Sequence, residues 1–153
     1  MSTPKEVKIT ELTGIVRYEG TFSSLAAFFL SPEGKRVDEE HLCRRGKGTL
    51  YEKETGFAVR YTADSQPTVL SCEKELFSME HNGNLLRFRE KKEQSFRFRT
   101  AFGEMDAAIY TLSTSLKEKS GSMLFTAEYY LLLSGMVQKN VTSVKIDKEK
   151  TLC

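Results

Sequence analysis

Aromatic rings and guanidinium groups alternate along the stretch SFRFRTAFG at residues 95–103. Grooves that bind single-stranded nucleic acid combine positive charge with exposed rings on which bases stack, so one interpretation is a phosphate-binding stripe. The other is a half-buried β-strand, because successive side chains of a strand point to opposite faces. The basic side chains of this region form a candidate basic patch: Arg87, Arg89, Lys91, Lys92, Arg97 and Arg99. Six basic residues against two acidic ones, Glu90 and Glu93, leave a local excess of four positive charges.

Residues with the chemistry for catalysis or metal binding are few and scattered. The two histidines, His41 and His81, are far apart in the chain, and neither neighbours a G-x-S-x-G elbow that would supply a nucleophile. The three cysteines, Cys43, Cys72 and Cys153, show no C-x-x-C spacing, and no P-loop or G-x-G-x-x-G occurs among the ten glycines. Two interpretations of the acidic residues stay open: a carboxylate pair that the fold brings together, and separate carboxylates solvated at the surface. We therefore expect no catalytic residues, no metal, no cofactor and no enzymatic activity.

The composition is that of one ordinary globular domain. The chain has 153 residues, 39% of them hydrophobic and 29% charged, which is enough to bury a core in a single domain spanning residues 1–153. Its 23 basic and 21 acidic residues leave a net charge of +2, which argues against a nucleic-acid or membrane partner. The longest apolar run, LAAFFL, is too short to span a bilayer. An odd number of cysteines argues against a disulfide framework and favours the reducing cytoplasm.

Hydrophobic periodicity predicts an all-β fold. From Lys47 onward, apolar runs with a period of two are separated by turn residues, a pattern typical of an antiparallel meander of about nine or ten strands. The clearest hairpin is centred on Asn82-Gly83, because these residue types adopt the positive φ angles of a type I′ turn. Closing such a meander into a barrel removes the unpaired edges of an open sheet.

The stretch at residues 22–36 interrupts this pattern. Ser23 or Ser24 provides an N-cap for the helix formers of LAAFFL, and Ser31-Pro32 provides a stop. These signals predict a short helix or a lid inserted after the first strand. A further strand, or a plug at one end of the barrel, is the alternative.

Energetics favour an inward orientation for the rings of the alternating stretch. Burying a phenylalanine side chain stabilises the fold by about 1.5–3 kcal/mol, whereas burying an unpaired guanidinium is costly. We therefore expect Phe96 and Phe98 to face the core and Arg97 and Arg99 to face solvent, in the second strand of the Asn-Gly hairpin. Rings that turn away from the arginines cannot stack bases beside them, which favours a solvated strand face over an RNA contact. A polar-lined cavity would reverse the orientation and bring an arginine inside to bind a carboxylate ligand.

Three stretches carry a diffuse pattern of characteristic residues: GTLYEKETGFAVRY, FRTAFGEMDAAIYT and EYYLLLSGMVQKNVTSVKI. The pattern consists of Gly48, Tyr51, Tyr61, Phe102, Gly103, Thr111, Tyr130, Gly135 and Asn140. On these positions the chain resembles the YwiB-like family, bacterial proteins without an assigned function that have a calycin-like (lipocalin-type) β-barrel. Two features depart from the family: a longer insert at residues 25–36, and Glu80 before the HNG turn, where a basic residue is expected. The resemblance implies a barrel with, by analogy to other calycins, a ligand cavity, and it transfers no catalytic residues.

The candidate ligand-binding residues combine the inward face of the predicted strands with positions matched to the family. They are Tyr51, Tyr61, Phe96, Phe98, Thr111, Tyr129 and Tyr130. In a regular strand, Tyr130 lies on the same face as Glu128 and on the face opposite to Tyr129. We therefore expect either a nearby bulge or a tyrosine on the outer surface.

Fold analogy and an aromatic-rich inner face lead us to expect a non-enzymatic barrel that binds a small apolar or amphipathic molecule in its mouth. The alternative is an interaction module whose outer basic face, Arg87, Arg89, Arg97 and Arg99, contacts RNA or an acidic protein. An unrecognised hydrolase or isomerase ranks last, because no acid–base constellation points to it. An exposed strand edge also allows a homodimer.

Overall fold

The computed structural model describes residues 4–30, 36–63 and 65–148. Within this part of the chain there are ten β-strands and one short helix. In chain order they are β1 (Lys5–Tyr18), α1 (Leu25–Leu30), β2 (Arg36–Lys53), β3 (Gly56–Ala63), β4 (Gln66–Glu73), β5 (Leu76–His81), β6 (Asn84–Phe88), β7 (Glu93–Thr100), β8 (Gly103–Lys119), β9 (Ser122–Leu133) and β10 (Met136–Lys148). The predicted all-β architecture and the predicted number of strands are confirmed.

All the strands belong to one antiparallel sheet, in the order β6-β5-β4-β3-β2-β1-β10-β9-β8-β7. Neighbours in this order are neighbours in the chain except for β1 and β10, which pair from Val7↔Lys148 to Arg17↔Gln138. The pairing of the first strand with the last joins the ten strands into one sheet, and its two end strands, β6 and β7, come into contact. The sheet thereby forms the predicted barrel.

The side chain of Asn84 links the two end strands, at a junction that we call the seam. Asn84 Nδ2 donates a hydrogen bond to Arg99 O at 3.0 Å, and the Arg99 amide donates to Asn84 Oδ1 at 2.7 Å. In the described part of the chain, no ladder of backbone hydrogen bonds joins β6 to β7. An amide side chain has the donor and acceptor of a peptide group, so Asn84 closes the barrel where strand pairing stops.

The Asn-Gly hairpin forms as predicted, but with a different second strand. Asn82 and Gly83 have φ angles of 51° and 80° and connect β5 to β6, with His81 paired to Asn84. The expectation that residues 95–103 supply the second strand is wrong, because β7 pairs with β8 instead. Both β6 and β7 alternate apolar and basic residues, so the alternation could not distinguish the partner of β5. The two basic strands therefore face each other across the seam.

The predicted helix is present as α1 and lies on the outside of the barrel. Its N-cap is Ser24, whose Oγ accepts a hydrogen bond from the Ala27 amide at 3.0 Å. Leu25 and Phe28 are buried against outward side chains of β8, β9 and β10, among them Tyr130. The helix thus covers the outer wall and does not plug the end of the barrel. Residues 31–35 of the predicted insert lie outside the described residues.

The core fills the barrel interior with inward side chains from both halves of the sheet. Its centre is Phe125, fully buried, with Leu50 and Leu70 also without exposed surface. Strands approach closely where β2 carries Gly48, since a Cβ atom there would lie 2.7 Å from the carbonyl oxygen of Arg60. This close approach is the physical reason for a glycine at that family-matched position.

Candidate ligand-binding site

A cavity of about 650 Å³ opens at the end of the barrel where β6 leads into its connection with β7. We call it the mouth cavity. It is lined by the apolar side chains of Leu76, Phe77, Phe88 and Leu116 and by the charged side chains of Glu75, Arg89, Glu90 and Lys92. Phe77 and Phe88 are buried, and both rings contact Phe125. The mouth cavity therefore combines an apolar floor fixed to the core with a charged rim.

A bulge in β8 anchors the connection between β6 and β7. The pairing of β8 with β9 shifts register between Thr111 and Ser113, and here the Lys91 amide donates to Thr111 O at 2.7 Å. The Glu90 carboxylate accepts the Thr114 amide at 2.8 Å and the Thr114 hydroxyl at 3.2 Å. These hydrogen bonds lower the pKa of the Glu90 carboxyl. The connection is thus attached to β8 on both sides of the bulge, which holds its cations at the mouth cavity.

The members of the predicted basic patch differ in their partners. Arg97 forms ion pairs with Asp106 at 2.6 Å and with Glu104 at 3.6 Å. Arg99 pairs with the same glutamate at 3.3 Å. Four members of the patch are exposed and form no ion pair with a described residue: Arg87, Arg89, Lys91 and Lys92. The unpaired charge of the patch is therefore concentrated on β6 and on the connection that follows it.

Glu11 is a buried carboxylate inside the barrel that the sequence-based prediction missed. Its Oε2 accepts a hydrogen bond from the Tyr61 hydroxyl at 2.7 Å, and its Oε1 lies 3.6 Å from Arg44 Nη1. Burial, followed by the charge of Glu11, raises the pKa of Tyr61 far above its ordinary range. A signal was present in the sequence, because Glu11 occupies an inward position of the β1 alternation between Ile9 and Ile15.

A second cluster of polar side chains inside the barrel surrounds the hydroxyl of Tyr129. Its hydroxyl lies 3.2 Å from Thr142 Oγ1 and accepts a hydrogen bond from Asn140 Nδ2 at 3.5 Å, and burial raises its pKa. Thr111 is the cross-strand partner of Tyr129. The buried hydroxyl of Thr111 has no hydrogen-bond partner among the described residues. The interior therefore carries polar groups as well as an apolar core.

The structure separates the predicted ligand-binding residues into three groups. Tyr61, Thr111 and Tyr129 lie together in the barrel interior. Phe96 and Phe98 are half-buried on the inward face of β7, the orientation that the energetics favoured. The other two do not face the interior: Tyr51 is exposed on the outer face, and Tyr130 lies beneath α1. None of the seven lines the mouth cavity, whereas Arg89 and Lys92 of the basic patch do.

Stability should fall at alkaline pH because of Tyr61 and Tyr129. Their pKa values are raised in the folded state, whereas a tyrosine in an unfolded chain titrates near about 10. Their contribution is complete below that pH and is lost above it, since only the unfolded chain then releases the proton. Chemical denaturation at a series of pH values from about pH 8 to about pH 11 measures the free energy of unfolding. This free energy should decline less steeply with pH in the double variant Tyr61→Phe/Tyr129→Phe than in the wild type. The exposed control Tyr51→Phe should behave as the wild type does. Equal slopes in all three proteins would contradict this assignment.

The remaining chemistry-bearing residues are dispersed. Cys43 is exposed and Cys72 is buried, both as free thiols, and Cys153 lies outside the described residues. In the described ranges, no group of three or more histidine, cysteine, aspartate or glutamate side chains is placed to hold a metal ion. The same ranges contain no helix long and apolar enough to cross a membrane.

Comparison with known proteins gives a family and a fold. Residues 34–146 match the model of a family described as a domain of unknown function, DUF1934. The crystal structure of the ywiB protein from Bacillus subtilis is similar with a TM-score of 0.63 and 15% sequence identity, over 95% of this chain and 94% of that one. No curated protein matches the chain. The predicted resemblance to YwiB-like proteins and the predicted antiparallel β-barrel are confirmed.

Proposed function

Because this chain belongs to the DUF1934 family, whose description assigns no activity, we propose its function from the geometry of the barrel. The protein is a non-enzymatic barrel that binds one small amphipathic molecule in the mouth cavity. The observation that carries this proposal is the mouth cavity itself, about 650 Å³ with apolar walls and a charged rim. Sites for small molecules have volumes of about 300–1,000 Å³ and combine apolar walls with a few polar groups.

The apolar part of the ligand lies against the walls of the mouth cavity. Leu76 is 52% exposed, so its side chain is available for contact. Phe77 and Phe88 form a fixed surface, because their ring centroids lie 4.7 and 5.9 Å from that of the fully buried Phe125. Removing apolar ligand surface from water contributes about 25 cal/mol per Å², and a preformed floor limits the ordering cost of binding.

The outer basic face is a weaker basis for function than the mouth cavity. The charges of Arg97 and Arg99 are balanced by Asp106 and Glu104. The aromatic rings of β7 point inward and are half-buried, which leaves little surface on which bases could stack beside the arginines. Contact with RNA or an acidic protein would therefore depend on the unpaired cations alone, and we place the small-molecule function first.

Filling the mouth cavity should weaken ligand binding without unfolding the protein. Leu116 is half-buried at the cavity, so the indole ring introduced by Leu116→Trp takes up space that the ligand needs. Fluorescence titration with 1-anilinonaphthalene-8-sulfonate should show saturable binding to the wild type and an affinity lowered about tenfold in the variant, a difference of about 1.4 kcal/mol.

The matched control is Leu124→Trp, which adds the same ring on the outward face of the neighbouring strand β9. This variant should bind the dye as the wild type does. Circular dichroism establishes that both variants are folded. Unchanged dye affinity in folded Leu116→Trp would overturn the proposal, as would the absence of saturable binding to the wild type.

A further inference from the structure

We propose that the mouth cavity selects amphipathic molecules with an anionic head group, a carboxylate or another oxyanion, which Arg89 and Lys92 bind at the rim. This inference rests on the proposed function and names the ligand class for the same cavity. The apolar portion of the ligand then points toward Phe77 and Leu116, and its head group stays at the level of the connection between β6 and β7.

The two cations are available to a ligand. Neither Arg89 nor Lys92 forms an ion pair with a described residue, and both are exposed. Arg97, in the same patch, already has a carboxylate partner at 2.6 Å. A guanidinium presents two parallel N–H donors to a carboxylate, and an ammonium group adds a mobile point charge. Two of the four cations that form no ion pair with a described residue, Arg89 and Lys92, therefore line the mouth cavity.

The backbone that carries these cations is held in place before any ligand binds. Lys92 N donates to Arg89 O at 3.2 Å, which closes a turn between the two residues. The hydrogen bonds of Lys91 and Glu90 attach this turn to β8 on either side of its bulge. A turn fixed in this way holds the backbone of both residues at the rim, so that ligand binding orders only their side chains.

The acidic residues of the rim lead to a specific prediction about anion binding. Glu90 directs its carboxylate to Thr114, whose amide and hydroxyl satisfy it. Glu75 also lines the mouth cavity, and its charge opposes that of an anionic head group. The wall that holds Glu75 should therefore weaken anion binding, and removing this charge should strengthen it.

The test compares two probes that differ in their head group, decanoate and 1-decanol, by displacement of the bound dye. The wild type should bind decanoate more tightly than 1-decanol, and added salt should reduce the preference. In Arg89→Gln/Lys92→Gln the affinity for decanoate should fall about fivefold, because exposed ion pairs are individually weak, and that for 1-decanol should not change. The control Arg45→Gln/Lys47→Gln removes the same charge from exposed positions of β2 and should behave as the wild type.

Glu75→Gln should raise the affinity for decanoate and leave that for 1-decanol unchanged. Equal affinity of the wild type for both probes would overturn the choice of head group while leaving the mouth cavity as a binding site. Absence of binding by either probe would instead remove the proposed function itself. A decanoate affinity that Glu75→Gln fails to raise would place the head group elsewhere and overturn the assignment to this rim.

Discussion

Replacing Phe125 by alanine is expected to lower the free energy of unfolding by about 3–5 kcal/mol, the range typical of buried phenylalanines. Phe125 has no exposed surface and contacts the rings of Phe77 and Phe88. These contacts join β9 to the β5–β6 hairpin across the barrel interior. Because the surrounding side chains belong to hydrogen-bonded strands, they cannot collapse fully into the space left by the ring, and a cavity remains.

Urea denaturation of Phe125→Ala measures this loss as a lower transition midpoint. The control Leu124→Ala removes a side chain that is 37% exposed at the adjacent position of the same strand. It should change the free energy of unfolding by no more than about 0.5 kcal/mol. A Phe125→Ala variant as stable as Leu124→Ala would contradict the placement of Phe125 at the centre of the core. The loss of Phe125 should also weaken dye binding, since the floor of the mouth cavity rests on it.

Replacing Asn84 by alanine is expected to lower the free energy of unfolding by about 2 kcal/mol and to open the seam. The variant loses two hydrogen bonds, each worth about 0.5–1.5 kcal/mol. It also leaves the amide and carbonyl of Arg99 without the partners that Asn84 supplies. Since Asn84 is buried, its side chain also contributes packing at the junction.

Hydrogen exchange provides a local measurement of the seam. The Arg99 amide, which donates to Asn84 Oδ1 at 2.7 Å, should lose its protection in Asn84→Ala. Amides at the centre of the β1–β10 pairing should change only by the amount that the global stability changes. Ser78→Ala, in the same hairpin and half-buried, is the control and should leave the Arg99 amide protected. Unaltered exchange at Arg99 in Asn84→Ala would exclude the proposed role of Asn84 as the link between β6 and β7.

Features that depend on neighbouring residues could be predicted from the sequence. The type I′ turn follows from Asn82 and Gly83, because these two residue types tolerate positive φ. The start of α1 follows from Ser24, which directly precedes the helix and whose side chain accepts a hydrogen bond from an amide three residues later in the chain. The inward rings of β7 follow from the difference in burial cost between phenylalanine and arginine. Each of these inferences requires only a few consecutive residues.

The functional geometry could be predicted only in part. The sequence marked the cations Arg89 and Lys92 as members of a basic patch, but the walls of the mouth cavity come from β5, β6 and β8. The tyrosines chosen as ligand residues followed strand parity and family matches. Parity says which face a side chain occupies, but it does not say which end of the barrel is open or which outer positions a helix covers. Strand parity therefore could not predict that Tyr130 lies beneath α1 and not at the mouth cavity.

Local backbone preferences and burial energies act within each segment, so the sequence was sufficient to predict the all-β class, the meander, the main turn and the face on which alternating side chains lie, and it favoured the helix. Three features arise only in the folded barrel: β1 pairs with β10, β6 and β7 meet at the seam, and Glu11 meets Tyr61 across 50 positions of the chain. Pairing between distant segments depends on the combined packing of the whole barrel. No short stretch contains that information, and it is this distant pairing that places free cations beside an apolar cavity.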